Sequence, residues 1–325
     1  MASQRPAGAI PLPARHWHFS PSFRILPLSL SPFSLSFSLS PCMSHPCEPS
    51  CAPSLELSPE LTLSRLSPDF HWAVPSWVQP GSVAENCRFL QGRVPEVALC
   101  FFETAACLRY TADDLPEAGL PLGYHVHLPL DLPWHREDPL PQAHSLLDEA
   151  ELCAGICLEL VRKIRSLAPR CAVIHPPARP ADQAWLQMRH FRHVLAEALL
   201  RDGWSLPLCW ENTRHNSLQE VLGHAPLLPE GSGLCLDFGH LLRYHHAALL
   251  EEAILAQASM IHWNLVDERG RHLPVSTLAD RERKLAEHIM ARVPATCVHV
   301  LEVFSWQGVC ASLPCVHELW CAARG

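Results

Sequence analysis

Eight short apolar runs, spaced between residues 73 and 304, limit what this chain can fold into more than any other feature. They are "AVPSWV" (73–78), "VALCFF" (97–102), "YHVHLPL" (124–130), "CAVIH" (171–175), "LPLCWEN" (206–212), "GLCLDFGH" (233–240), "MIHWNLV" (260–266) and "VHVLEVF" (298–304). Most are apolar at consecutive positions, as expected of strands covered on both faces. Amphipathic stretches separate them. "SLLDEAELCAGICLELVRKIRSL" carries Leu146, Leu147, Ala150, Leu152, Ile156 and Leu160 near helical spacing, and "QAWLQMRHFRHVLAEALLRDG" stops at Gly203. This alternation predicts a parallel sheet clad in helices. No glycine-rich phosphate turn follows the first run, so a dinucleotide-binding open sheet has no support. The count of eight points to a single-domain α/β fold, the (β/α)8 TIM barrel.

Residues 1–70 have a different texture. "ILPLSLSPFSLSFSLSPCMSHPCEPSCAPSLELSPEL" is too rich in Ser and Pro for helix or central strand. It reads as a disordered low-complexity extension or a mis-assigned start, with Met43 a later candidate start codon and the barrel occupying 71–325. A signal peptide over Ile25–Ser40 is interrupted by Pro27 and Pro32, and no apolar run is long enough to span a bilayer. The fifteen cysteines are scattered, with no C-x-x-C pair, and several lie inside apolar runs as small hydrophobes. That pattern fits a reducing, cytoplasmic setting. A small metal knuckle of Cys42, Cys47, Cys51 and His45 is the alternative use for three of them. The net charge of −8 disfavours a nucleic-acid partner.

In a barrel of this kind the active site lies at the C-terminal ends of the strands. Read in order, those ends carry Glu103, His127, His175, Glu211 with Asn212, Asp237 with His240, His262 with Asn264, and Glu302. Singly, each has an ordinary structural explanation. Glu103 fits a helix N-terminal acid as well as a catalytic one. His175 precedes two prolines and fits a strand cap. His125 and His127 flank Val126, and one of the two is expected inward, the other in a surface layer. His245 and His246 read as solvated, and Trp134, Trp263 and Trp306 as either packing or an aromatic substrate wall. Together, acids and imidazoles converging on one rim would carry a heavy desolvation cost unless a cation compensates it. The mixed His/Asp/Glu set suits Zn, Mn or Fe(II).

The stretches "HLPLDL", "VIHPP", "CWENT", "CLDFGH", "MIHWN", "RHLPVSTL" and "VLEVF" resemble the xylose isomerase-like barrels, a superfamily that includes endonuclease IV-type apurinic endonucleases and sugar epimerases. The endonuclease branch implies three metals. His127, His175 and Glu211 would hold one. Glu211, Asp237, His262 and Glu302 would hold a second, with Glu211 bridging, and His240 and His272 a third. The endonuclease pattern has an Asp where this chain has Gly270, which leaves the third metal to Asp267 or Glu268, so two metals are the firmer expectation. Within the superfamily, "SVAENCRFL", "VALCFFET", "YHVHLPLDL", "LCWEN" and "CLDFGHLL" resemble the cobamide-remodelling phosphodiesterases, although "CWENTRHNS" lacks the aromatic expected after the Asn.

That resemblance implies a metal-dependent hydrolase that cuts the nucleotide-loop phosphodiester of a cobamide, a small-molecule substrate. Glu211 would act on the attacking water, and Asn212 would contact the substrate. A sugar isomerase or epimerase is the rival. It would need one metal on Glu211, Asp237, His262 and Glu302, and leaves His127, His175 and His240 unexplained. A DNA-repair endonuclease is weakened by the acidic charge and by the short, acid-bearing loop after the second strand. A catalytically dead binding barrel is weakened by the near-complete ligand set.

Overall fold

The structure is a computed structural model and describes residues 66–135, 144–225, 227–276 and 278–324. Eight strands close into a parallel barrel: β1 (Trp72–Pro75), β2 (Glu96–Cys100), β3 (Gly123–His127), β4 (Ala172–Ile174), β5 (Leu208–Glu211), β6 (Ser232–Asp237), β7 (Ala258–His262) and, after a small antiparallel hairpin of β8 (Leu265–Val266) and β9 (His272–Leu273), β10 (Val298–Val300). Each barrel strand pairs with its predecessor, and β1 closes the ring on β10 through Trp72 opposite His299 and Ala73 opposite Val300. Every expected run overlaps one of these strands, so the TIM-barrel expectation holds.

The helices that cover the sheet are α1 (Val83–Leu90), α2 (Thr104–Leu108), α3 (Leu146–Lys163), α4 (Ala181–Arg201), α5 (Gln219–His224), α6 (Phe238–Tyr244), α7 (Glu252–Leu255), α8 (Asp280–Met290) and α9 (Trp306–Arg324). Local chemistry sets their ends. Ser82 and Glu85 form a capping box at the start of α1, and Ser145 caps α3 by accepting from Asp148 N. Gly203, at φ +71°, turns the chain just after α4.

The sheet has two apolar faces of different character. Its outer face packs on the helices with large side chains, including Val126, Ile174, Trp210, Leu236 and Ile261. The barrel interior holds a separate cluster of mostly small residues: Ala73, Ala98, Cys100, Cys171, Val173, Cys209, Cys235, Met260, Val298 and Val300. Four of the scattered cysteines therefore fill a narrow interior where larger side chains would crowd. Cys153 and Cys157 are buried in α3, as helical spacing predicts.

Two expectations need correction here. His125 and His127 lie two residues apart on β3, and a strand's period of two puts them on the same face. Both are buried. His125 lies deeper along the strand, its Nδ1 2.7 Å from Glu96 Oε1, while Arg170 donates to the other Glu96 oxygen at 2.9 Å. The boundary at residue 70 also falls inside the folded unit, since Phe70 is buried and stacks on His299 at 5.3 Å. The proposed knuckle of Cys42, His45, Cys47 and Cys51 and the rest of residues 1–65 lie outside the described residues. Among the described residues no helix is long and apolar enough to cross a membrane.

Candidate metal centre

Six strand ends deliver the site. Its ligands alternate along each strand with residues that anchor the outer face. Glu211 points inward at the end of β5 while Trp210 packs outward against Phe191, with ring centroids 5.9 Å apart. Glu211 is the hub. Its Oε2 lies 3.0 Å from His127 Nε2 and 3.2 Å from His175 Nε2, and its Oε1 lies 3.3 Å from His262 Nδ1. Glu302 Oε2 lies 3.1 Å from the same His262 nitrogen and 3.3 Å from His272 Nδ1.

Potential ligand atoms gather into two groups, each within 4.8 Å of one another: His127, Glu211, His262 and Glu302 in the first, and Asp237, His240 and His272 in the second. His175 joins the first group through Glu211. The expected membership is thus changed: His127 stands with His262 and Glu302, and Asp237 leaves that set. Asp237 stands with His240 and His272 and supplies the acid that Gly270 cannot. Neither suggested substitute reaches in: Asp267 accepts from Arg271 Nε at 2.7 Å within the β8–β9 turn, and Glu268 is exposed.

The imidazoles are set for coordination. His127 Nδ1 lies 3.0 Å from the Leu128 carbonyl, His240 Nδ1 lies 2.9 Å from the Asn212 carbonyl and His272 Nδ1 lies 3.0 Å from the Glu302 carbonyl. A carbonyl only accepts, so each Nδ1 carries a proton, which leaves Nε2 as the ring nitrogen for a ligand bond. His262 Nδ1 is buried and makes no hydrogen bond, although carboxylate oxygens flank it. A buried ring nitrogen without a bond, among three buried carboxylates, fits a divalent cation.

The electrostatics agree. Burial pushes the Glu211 carboxyl up, but the fields of His262 and His175 and the hydrogen bonds from His127 and His175 outweigh it and hold it well below the usual carboxylate range. Glu302 is opposed by burial in the same way and is still held down to about 2, chiefly by the fields of His262 and His272. Asp237 goes the other way: burial raises it, with Glu211 and Glu302 adding to the shift. The imidazoles balance two of the three carboxylates, and positive charge runs short at the third.

Around this centre the remaining expectations sort themselves. Asn212 points away from the cleft. Its Oδ1 accepts from Asp237 N at 2.7 Å, and its Nδ2 donates to the Asp237 carbonyl at 3.0 Å and to His246 Nδ1 at 3.1 Å. All its polar atoms are engaged, so it clamps β5 to β6. His246 is buried, contrary to the solvated reading, because His245 takes a left-handed conformation (φ 60°) and turns the chain back under the barrel rim. Trp134 and Trp263 are buried packing residues, Trp306 meets Phe89 edge-on, and Glu103 is exposed.

Asn264 carries more weight than its place beside His262 suggested. Its Nδ2 donates to Asp237 Oδ2 at 2.7 Å and reaches Glu302 Oε2 at 3.3 Å, tying the two groups together. The signal for it was the repeat of a ligand followed by a nearby Asn, in "ENT" and "HWN". His135 escaped notice; burial first, then the fields of His175, His215 and Arg179, push its imidazole down to about 3.

Fold and site together define a (β/α)8 barrel whose C-terminal rim carries ligand sets of the kind that hold divalent metals. The same fold occurs in the crystal structure of a D-tagatose 3-epimerase-like protein, 14% identical, which matches 78% of this chain and 98% of its own with a TM-score of 0.54. It occurs as well in endonuclease IV from Thermus thermophilus, 15% identical, covering 77% of this chain and 98% of that one with a TM-score of 0.50. At these identities the likeness establishes the barrel fold. No protein-family model and no curated protein matches the sequence.

Proposed function

We propose that the chain is a divalent metal-dependent phosphodiesterase, with the nucleotide-loop phosphodiester of a cobamide as its substrate. The observation that carries the metal-dependent reading is the orientation of His127, His240 and His272, each held at Nδ1 by a main-chain carbonyl within groups that also bring in Glu211, Glu302 and Asp237. Two adjacent ligand groups favour phosphoryl transfer over single-metal isomerisation, because the isomerase chemistry, with its metal on Glu211, Asp237, His262 and Glu302, leaves His127, His175, His240 and His272 without a task. The substrate assignment rests on the sequence resemblance of "YHVHLPLDL", "LCWEN" and "CLDFGHLL" to the cobamide-remodelling enzymes.

Bound divalent ions, Zn, Mn or Fe(II), supply Lewis acidity and charge neutralisation at the phosphoryl group. Glu211, ionised and facing both His127 and His262, takes the proton of the attacking water. Glu302 and Asp237, tied by Asn264, hold the two ligand groups at a fixed separation. Asn212 acts through Asp237 and is a positioning residue.

The test is product analysis by chromatography and mass spectrometry. The full chain, loaded with Mn or Zn, is incubated with coenzyme-form cobalamin, and cobinamide phosphate with the α-riboside is the expected result. Glu211→Gln is expected to abolish turnover with the fold intact, and activity within a few-fold of the parent would refute its role. An unchanged cobamide with metal confirmed in the protein would overturn the substrate assignment and transfer the reading to ketose epimerisation.

A further inference from the structure

A cavity of about 280 Å³ opens beside the metal centre, near the lower end of small-molecule sites. The loops after β4 and β5 and the C-terminal end of α6 enclose it, and Arg179, Arg214, His215, Asn216, Gln219 and Tyr244 line it. Two contacts join it to the centre. The Tyr244 ring lies 5.5 Å from that of His240, and His246, also in the wall, is bonded to Asn212, whose carbonyl lies against His240.

The wall is built rather than incidental. Asn216 Nδ2 donates to the Pro177 carbonyl at 2.8 Å, which ties the β5 loop to the β4 loop, and Asn216 O accepts from Thr213 N at 2.9 Å. These bonds present Arg214 and His215 at the mouth. Both are exposed and have no ion-pair partner among the described residues. Arg179 reaches Glu149 at 3.3 Å, but Gln187 also donates to that carboxylate at 2.7 Å, and the Arg179 Nε is buried without an acceptor. Glu220, exposed on α5, is the one acid in the lining. On a chain of net charge −8, two guanidiniums and an imidazole turned toward one small polar cavity are a local reversal of sign.

We propose that this cavity is a phosphate-binding subsite, which takes the phosphomonoester that hydrolysis releases at the neighbouring centre. Guanidiniums are suited to it because their planar N–H forks match phosphate oxygens. The proposal deepens the phosphodiesterase reading and rests on it for what reacts next door, but anion binding in the cavity needs neither the metal nor the chemistry.

That independence shapes the test. The full chain is held in EDTA and titrated with inorganic phosphate, with binding read by calorimetry and by ³¹P line broadening. Saturable binding is expected. It should weaken at least tenfold in the double variant Arg214→Gln, His215→Gln, whose positions at the mouth leave the thermal midpoint unchanged, and should persist in Glu211→Gln. Absence of saturable binding in the parent protein, or equal affinity in the double variant, would overturn the subsite. Failure of the metal reading would register separately, as a parent protein that binds phosphate but takes up no metal.

Discussion

Replacing Asn212 by Ala removes three buried hydrogen bonds at once: one from Asp237 N, one to the Asp237 carbonyl and one to His246. The partners left behind lie where water does not reach, since Asp237 is fully buried and His246 nearly so. Each unpaired group costs about 1–3 kcal/mol, so the variant is expected to lose at least about 3 kcal/mol. Set against a typical domain stability of about 5–15 kcal/mol, that is a large share, and it corresponds to a thermal midpoint lower by about 10 °C. Asp237 is then free to shift, and the Asp237, His240 and His272 group should lose metal on dialysis before the Glu211 group does. Urea denaturation followed by tryptophan fluorescence measures the first effect, and elemental analysis after dialysis measures the second. Unchanged stability and metal content, with kcat down a hundredfold at saturating metal, would refute the positioning role and restore Asn212 to the substrate.

Other expectations follow from neighbouring features. In Gly239→Ala the new methyl meets the side chains of Asn264 and Val266, so Asn264 must leave Asp237 and Glu302; the loss should be about 1–3 kcal/mol with weaker metal retention, and an unshifted melt would refute the close packing. His299 accepts from Trp263 Nε1 at 3.1 Å and is pushed down to about 3 by burial, then by Arg324 and His71. Its folded value lies below the unfolded one of about 6.5, so the unfolded chain takes the proton first. Its stabilising contribution is complete above about pH 6.5 and fades by about 1.4 kcal/mol per pH unit below it. Denaturation midpoints of His299→Phe should therefore fall less steeply between pH 6.5 and 5 than the parent's, and equal slopes would contradict this. Among the described cysteines Cys321 is exposed, whereas burial pushes the Cys87 and Cys297 thiols up to about 12. Peptide mapping after iodoacetamide at pH 8 should find Cys321 modified first, and equal labelling of all three would refute the packing.

The barrel was legible because both of its signals are local. Strands covered on two faces read as unbroken apolar runs, and a ligand at a strand end reads as an abrupt change of residue type, as in "GLCLDFGH". What escaped depends on direction and on distant partners. The facing of His125 was misjudged by one step of strand period, although the rule that settles it is local. His246 could not be read from its neighbours, because its burial follows from a left-handed turn at His245 and a partner on another strand. The grouping of Asp237 with His240 and His272 was equally hidden. It depends on how far the β8–β9 hairpin carries His272 toward β6, which no spacing encodes. Asn212 and Asn264 show the same limit: their neighbours were plain, their hydrogen-bond partners were not.

Ring closure has a consequence for how the protein is made. Strand β1 finds one of its two neighbours in β10, and the ligands run in chain order from His127 to Glu302. A nascent chain emerging from the ribosome can therefore pair early strands, yet it cannot complete the first ligand group until Glu302 is synthesised. Under the proposed reading, metal capture would wait for a chain that carries the whole ligand set. Truncated or stalled products keep an incomplete ligand set and forgo the stabilisation that binding gives the native state.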